Sequence, residues 1–123
     1  MPPATRCALA GPDMSGAPFH FHEDALNLLI HGRKQWWLAP PAAASFSKEH
    51  PAAREVRLGL GAGAGAARPT PPHTCMQHAG EMLYVPRGWG HSAQNHGEAI
   101  GVAFEIDNNN CSHPLATCWQ RAV

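Results

Sequence analysis

GAPFHFHEDALNLLIHGRK, residues 16–34, places two histidines one residue apart, directly after a Pro-Phe pair and just before an apolar run. Side chains at alternate positions of an extended strand point to the same face of a sheet. His20 and His22 are therefore expected to project together, with Asp24 following on the same face. Imidazole and carboxylate groups are common ligands of divalent metals. The segment indicates a strand that carries part of a metal site.

The composition fits one domain with many turns. The chain has 123 residues, which is enough for one domain and too few for two of ordinary size. Nine Lys and Arg residues balance nine Asp and Glu residues, so nothing indicates electrostatic attraction to nucleic acid or to an acidic membrane surface. Twelve glycines and twelve prolines indicate short elements separated by turns.

Nine histidines are many for this length and favour a metal or acid–base role for some of them. We expect five to be ordinary surface residues: His31, His50, His73, His96 and His113. The four cysteines, Cys7, Cys75, Cys111 and Cys118, form no CxxC pair and are expected to be buried or free thiols.

No signal for a membrane span or a targeting segment stands out. No stretch approaches the ~20 apolar residues that a spanning helix needs, and residues 1–15 contain no apolar core of a signal peptide. The default expectation is a cytoplasmic or nuclear protein, or an endomembrane lumen if the N-terminus is truncated. The oligomeric state is left open, and the partner is expected to be a protein or small-molecule substrate.

Short strands account for most of the chain. Residues 17–22 and 34–40 read as strands, 25–32 as a helix or a buried strand, 42–48 as a short helix and 56–60 as a further strand. Residues 61–72, GAGAGAARPTPP, are a low-complexity insertion that cannot build a core. With the short segments that follow, seven or eight strands are expected, which favours an all-β sandwich or barrel.

A second motif lies at residues 80–95, GEMLYVPRGWGHSAQN. It reads G-x5-P-x-G-x2-H-x3-N, with Gly80 and Gly88 suited to turns and His91 opening a strand. This pattern resembles the second conserved motif of the cupin superfamily at every defined position.

The first motif resembles the metal-binding segment of Jumonji-C (JmjC) oxygenases, G-x-P-x-H-x-D/E followed by N-x-L-x-x-G-x-K-x-W-x-L-x-P-P. The two segments, 16–41 and 76–106, cover a little under half of the chain. The resemblance implies an all-β double-stranded β-helix, a cupin or jelly-roll barrel with short helical connections. It also implies Fe(II), held by two histidines and one carboxylate, with 2-oxoglutarate as cosubstrate.

Carried over residue by residue, His20 and His91 are the two histidine ligands. Lys34 is expected to bind the far carboxylate of 2-oxoglutarate through a charge-assisted hydrogen bond. Asn27 and Asn95 are expected to add polar contacts. The three apolar residues that follow Gln35 are expected to belong to the core rather than to the site: Trp36, Trp37 and Leu38.

His22 stands where most of the family has Asp or Glu, and three interpretations stay open. His22 is itself a ligand, so that three neutral imidazoles hold the metal. Alternatively Asp24 reaches the metal, since residues 22–24 also spell H-x-D, although the Pro-Phe pair before His20 favours the usual register. In the third, metal affinity is weakened. A small Jumonji branch of endomembrane proteins has a similar Phe-His-x-His stretch.

These interpretations give three functional hypotheses. The first is a JmjC-type hydroxylase or demethylase of a protein substrate, the second a catalytically inactive JmjC-like binding domain, and the third a three-histidine small-molecule cupin. For the domain organisation we expect an irregular and truncated N-terminal segment at 1–15, the JmjC/cupin-like domain at 16–106 and a tail at 107–123.

Overall fold

The computed structural model describes residues 5–54 and 73–106, which form one six-stranded antiparallel sheet. A 3₁₀ turn at Pro41–Ala43 and one helical turn at 51–54 connect the strands. The predicted all-β class is confirmed. The strands are β1 Thr5–Gly11, β2 Gly16–His20, β3 Asp24–Ala39, β4 His73–His78, β5 Met82–Val85 and β6 Gly90–Ile106.

Two long strands, β3 and β6, form the centre of the sheet. They pair antiparallel from Asp24 opposite Ile106 to Ala39 opposite Gly90. On the outer side of β6, β1 pairs with its second half and β2 with its first half. On the outer side of β3, β5 pairs with its first half and β4 with its second half. The sheet therefore has two halves, one with β2 and β4 at its edges and one with β1 and β5 at its edges, and both β3 and β6 run through both halves. A central cavity is lined by residues of both halves.

A bend in the middle of β3 changes which side chains face the interior. The pairing with β6 shifts register between Leu29 and Arg33, and Gly32 there adopts a φ of +84°. Before the bend, odd-numbered positions such as Asn27 line the central cavity; after it, even-numbered Lys34 and Trp36 do. Because side chains alternate along a strand, an irregularity of this kind turns the following side chains to the other face.

A small apolar core lies on the opposite side of β3 from the cavity. Phe19, Trp37 and Ala39 form one buried cluster. The connection after β3 covers it, since Ser47 donates its main-chain N–H to the Phe19 carbonyl at 2.8 Å and the Arg54 guanidinium lies 4.8 Å from the Phe19 ring centre. Phe19 and His20 thus point to opposite sides of β2, one into this cluster and one into the site.

Several local predictions need correction. The N-terminal segment is not irregular over Thr5–Gly11, because these residues form a ladder with the last strand. The helix predicted at 42–48 is wrong: only Pro41–Ala43 is helical there, and Ala44 returns to an extended conformation. Residues 25–32 are strand, and Gly90–Ile106 is one continuous strand in which Gly97 accommodates an irregularity at a φ of +77°.

Cys75 is a free thiol, as predicted, and its pKa is raised by burial and by Glu81.

The predictions about membrane spans and surface histidines hold for the described residues. Within residues 5–54 and 73–106, no helix has the length and apolar character that a membrane crossing requires. The predicted surface histidines in these ranges are exposed: His31, His50, His73 and His96. The strand at 56–60, the insertion at 61–72, the tail at 107–123, His113, Cys111 and Cys118 lie outside the described residues.

Gly32→Ala should destabilise the domain more than Gly97→Ala. Both glycines have positive φ, which costs an alanine about 1–2 kcal/mol. A Cβ on Gly32 also collides with the main-chain oxygen of Glu98, whereas a Cβ on Gly97 meets no described atom. Urea unfolding followed by circular dichroism should give a lower midpoint for Gly32→Ala. Equal midpoints would contradict the view that close strand packing at Gly32 sets the bend.

Candidate metal centre

Three histidines from different parts of the sequence meet at one point. His20 ends β2, His22 lies in the β2–β3 connection, and His91 begins β6. One ring nitrogen from each lies within 4.8 Å of the others. His20 pairs directly with His91 across the two strands, and their ring centres are 4.2 Å apart. The pairing of β2 with β6 therefore brings the two predicted motifs together.

Each histidine ring is held by a main-chain carbonyl close to it in sequence. A carbonyl oxygen can only accept a hydrogen bond, so each ring donates from Nδ1 and keeps a free lone pair on Nε2. Metal-binding histidines are commonly oriented in this way. The donor–acceptor distances are 2.7 Å for His20 and Pro18, 2.9 Å for His22 and Glu23, and 3.0 Å for His91 and Trp89.

The Nε2 atoms of His22 and His91 lie 3.1 Å apart. With both protons on Nδ1, neither Nε2 has a hydrogen to donate, so this contact brings two lone pairs together. A shared cation relieves that repulsion. Two nitrogens bound at right angles, each about 2.1 Å from one metal, lie about 3 Å apart. The donor set and its spacing therefore fit a divalent metal ion.

His91 is set up to stay neutral. Its side chain is buried, and burial is the main reason why its pKa is lowered to about 4. The hydrogen bond to the Trp89 carbonyl opposes this shift, while the neighbouring His20 and His22 add to it. The ring is therefore neutral near pH 7, which is the form that binds metal.

A cavity of about 420 Å³ opens beside the three imidazoles. Its size is that of an ordinary small-molecule site. The structure brings together at this cavity all the residues that the sequence predicted as metal ligands or cosubstrate contacts, apart from the alternative ligand Asp24: His20, His22, His91, Lys34, Asn27 and Asn95.

Lys34 is a buried cation in the wall of this cavity. Its side chain is only 9% exposed, and Nζ lies 5.8 Å from the ring centre of Trp36. Burial lowers the pKa of Lys34. Within residues 5–54 and 73–106 it forms no ion pair with a carboxylate. Because a buried charge is costly without a counter-charge, the cavity is suited to an anionic ligand.

The two asparagines differ in what they already bind. Asn95 donates from Nδ2 to the Ser15 hydroxyl at 3.0 Å and to the Gly11 carbonyl at 3.4 Å, which ties the β1–β2 turn to β6. Asn27 is buried, and its main-chain oxygen accepts a hydrogen bond from Gln77 at 2.8 Å. Asn95 is therefore a structural link as well as a cavity residue, and a cosubstrate contact from either asparagine stays a prediction.

Asp24, the alternative ligand, lies outside the three-histidine group. Its Oδ1 accepts hydrogen bonds from the Tyr84 hydroxyl at 2.7 Å and from the Arg87 main-chain N–H at 2.8 Å. The carboxylate is buried in this role and connects the start of β3 to β5 and to the loop before β6. The cluster of possible ligands contains His22 and does not contain Asp24.

Trp36 is buried in the core, as predicted, and it is also a site residue, which the sequence did not predict. It lines the cavity, its ring centre lies 6.2 Å from that of His91, and its Nε1 donates to Gln77 at 2.9 Å. A signal for this was present, because Trp36 lies two positions after Lys34 on the same strand, and alternate side chains share a face. Trp37 does belong to the core, as predicted.

Sequence reasoning also missed Glu105. It lines the cavity, and its Oε1 lies 3.7 Å from Nε2 of His22. A signal was present, because Glu105 is the single charged residue in the apolar stretch 99–106, AIGVAFEI. On a strand it shares a face with Ala103, which also lines the cavity.

Comparison with known proteins identifies the family. A family model described as the JmjC domain matches residues 4–113. The chain belongs to the JmjC domain family. JmjC domain-containing protein 8 of Mus musculus is 36% identical over 93 residues, covering 76% of this chain and 34% of that protein. The 2-oxoglutarate and iron-dependent oxygenase JMJD4 of Homo sapiens is 31% identical over 128 residues, covering 94% of this chain and 29% of that protein.

Solved structures agree on the fold of this JmjC domain. YcfD, a ribosomal oxygenase from Escherichia coli, matches with a TM-score of 0.57 at 15% identity, over 85% of this chain and 23% of that chain. The predicted double-stranded β-helix is confirmed. The chain spans about a third of the length of the curated relatives it matches.

Replacing His22 should weaken metal binding, whereas replacing Asp24 conservatively should not. We expect His22→Ala to raise the dissociation constant for Co(II) by about tenfold or more, because it removes one of three ligands. Asp24→Asn keeps the acceptor for Tyr84 and Arg87 and should bind Co(II) like the original protein. Competition with a coloured chelator measures both constants. The opposite ranking of the two variants would make Asp24 the ligand.

Proposed function

We propose that this JmjC domain is an Fe(II)- and 2-oxoglutarate-dependent oxygenase that hydroxylates or demethylates a side chain of a protein substrate. The observation that carries the proposal is Lys34, a buried cation in the same cavity as three convergent imidazoles. The family assignment, with a human relative named as a 2-oxoglutarate and iron-dependent oxygenase, supports it. The protein substrate follows from the resemblance to Jumonji-C oxygenases.

The cavity matches the two ends of 2-oxoglutarate. His20, His22 and His91 would hold the metal, and the 2-oxo acid end would lie beside them. Lys34 binds the distal carboxylate by a charge-assisted hydrogen bond, which is shorter and stronger than a neutral one. Bound iron supplies the activation of dioxygen for oxidation of a C–H bond.

The protein's own residues orient the cosubstrate and exclude water. Trp36 and the alanines at 25, 93 and 103 line the cavity and limit the water that reaches Lys34. In such an environment an ion pair is stronger than in bulk water. The buried Trp36 is fixed by its bond to Gln77, which itself donates to the Asn27 and Glu81 carbonyls. This chain of hydrogen bonds makes one wall of the cavity rigid.

A second candidate is a three-histidine dioxygenase of small molecules. The specific observation is His22, which occupies the carboxylate position and lies within the cluster. Three neutral ligands leave the full charge of the divalent ion in place, so an anionic chelator other than a 2-oxo acid, such as a thiolate, becomes suitable. Lys34 is then a general anchor for an acidic group.

Spectroscopy under anaerobic conditions separates these functions. The purified chain is loaded with Fe(II) and titrated with 2-oxoglutarate while the visible spectrum is recorded. A weak charge-transfer band that saturates, and that is lost in His91→Ala, supports the 2-oxoglutarate site. Bound iron without the band favours the three-histidine dioxygenase, and thiols are titrated next. A folded chain that binds no iron leaves a non-catalytic binding domain.

Lys34→Met should weaken 2-oxoglutarate binding more than iron binding. Methionine keeps much of the apolar stem and removes the cation that faces the distal carboxylate. A charge-assisted hydrogen bond contributes about 1.5–3 kcal/mol, so the dissociation constant should rise by roughly 10- to 150-fold. Titration of the charge-transfer band measures it. Lys48→Met, at an exposed position, is the control and should titrate like the original protein. An unchanged constant in Lys34→Met would remove Lys34 from the cosubstrate site.

A further inference from the structure

The three-histidine centre lacks negative charge of its own. All three ligands are neutral imidazoles, and His22 occupies the position at which most of the family has a carboxylate. A divalent ion at this point therefore brings two positive charges into a cavity that already contains the Lys34 cation. Buried charges are stable when a counter-charge accompanies them.

One carboxylate faces this centre from another strand. Among the described residues that line the cavity, only Glu105 carries an acidic side chain. It lies near the end of β6, opposite Ala25 of β3, and on the same face as Ala103. The small side chains of Ala25 and Ala103 leave room for the longer Glu105 side chain to reach the imidazoles.

The distance from Glu105 to His22 is that of two ligands rather than of a hydrogen bond. Oε1 lies 3.7 Å from Nε2, beyond the usual 2.7–3.2 Å range. In the neutral form that binds metal, His22 keeps its proton on Nδ1, which donates to the Glu23 carbonyl, so Nε2 presents a lone pair. Donor atoms that share one metal at about 2.1 Å lie about 3–4 Å apart. The group whose ligand atoms all lie within 4.8 Å of one another contains the three histidines and not Glu105, so the carboxylate has to turn further toward the imidazoles to share an ion with them, which a side chain that is 43% exposed allows.

We propose that Glu105 is a fourth protein ligand of the three-histidine centre and supplies the carboxylate that this chain lacks at position 22. The inference rests on the metal site of the proposed function. It places the negative charge of the metal centre on a side chain of β6, far in sequence from the first motif. Imidazole and carboxylate together suit Fe(II), Zn(II) and Mn(II), so the metal preference moves away from that of an all-imidazole site.

Co(II) binding to matched variants of the full chain tests this assignment. We expect Glu105→Gln to raise the Co(II) dissociation constant about tenfold or more and to change the visible spectrum of the bound ion. Glu105→Asp keeps the charge but shortens the side chain, so it should also weaken binding and alter the spectrum. Glu98→Gln removes a charge from the exposed part of the same strand and should match the original protein. Circular dichroism of the metal-free variants checks that all are folded.

Each outcome decides the point. Weaker binding and an altered spectrum in both Glu105 variants, with Glu98→Gln unchanged, supports ligation. Wild-type affinity and spectrum in Glu105→Gln overturns the inference and leaves the three-histidine centre intact. If Glu105→Asp keeps the original affinity and spectrum while Glu105→Gln does not, the charge acts without direct ligation, which also overturns the inference. A folded original protein that binds no Co(II) overturns the metal centre and, with it, the proposed function.

Discussion

The hydrogen bonds from three imidazoles to main-chain carbonyls are the constraint on which the site depends. Each bond fixes the proton on Nδ1 and turns the lone pair of Nε2 toward a common point. The carbonyls lie one or two residues from their histidines, so local backbone conformation sets each ring. The β2–β6 pairing then sets the distance between His20 and His91, whose ring centres are 4.2 Å apart. The hydrogen bonds to nearby carbonyls orient the rings, and the strand pairing brings His20 and His91 close together.

The bend in β3 has a comparable effect on the rest of the cavity. With regular alternation from Asn27, Lys34 and Trp36 belong to the outer face. The register shifts around Gly32 turn both toward the imidazoles. A buried cation costs free energy in the unliganded protein, and surrounding packing has to hold it there. Such a cost at the wall of a cavity is understandable if an anion binds to it, which links this bend to the proposed function.

The many short segments of the sequence predicted the all-β class, and the resemblance to the cupin and JmjC motifs supplied the six residues that meet at the cavity. Sequence reasoning failed where a partner distant in sequence decides the outcome. Turn-forming residues flank Thr5–Gly11, yet the segment is a strand because its main chain pairs with β6. Asp24 stood as the alternative ligand on its H-x-D spacing, because its actual partners, Tyr84 and Arg87, lie 60 and 63 positions away in sequence. The place of Trp36 in the cavity wall was missed, although it lies two positions after Lys34 on one strand.

A carboxylate from β6 changes what the centre can do. Two histidines and a carboxylate leave three positions on a six-coordinate ion, enough for a chelating 2-oxo acid and one further small ligand. With Glu105 as the proposed fourth ligand, two positions would remain, and a chelating 2-oxo acid would occupy both. Binding of a further ligand would then require one protein group to leave the metal. Glu105 has the weakest restraint, since its side chain is 43% exposed while His91 is buried and held by the Trp89 carbonyl. Under the proposed ligation, Glu105 would therefore be the protein group that most easily makes room for a further ligand.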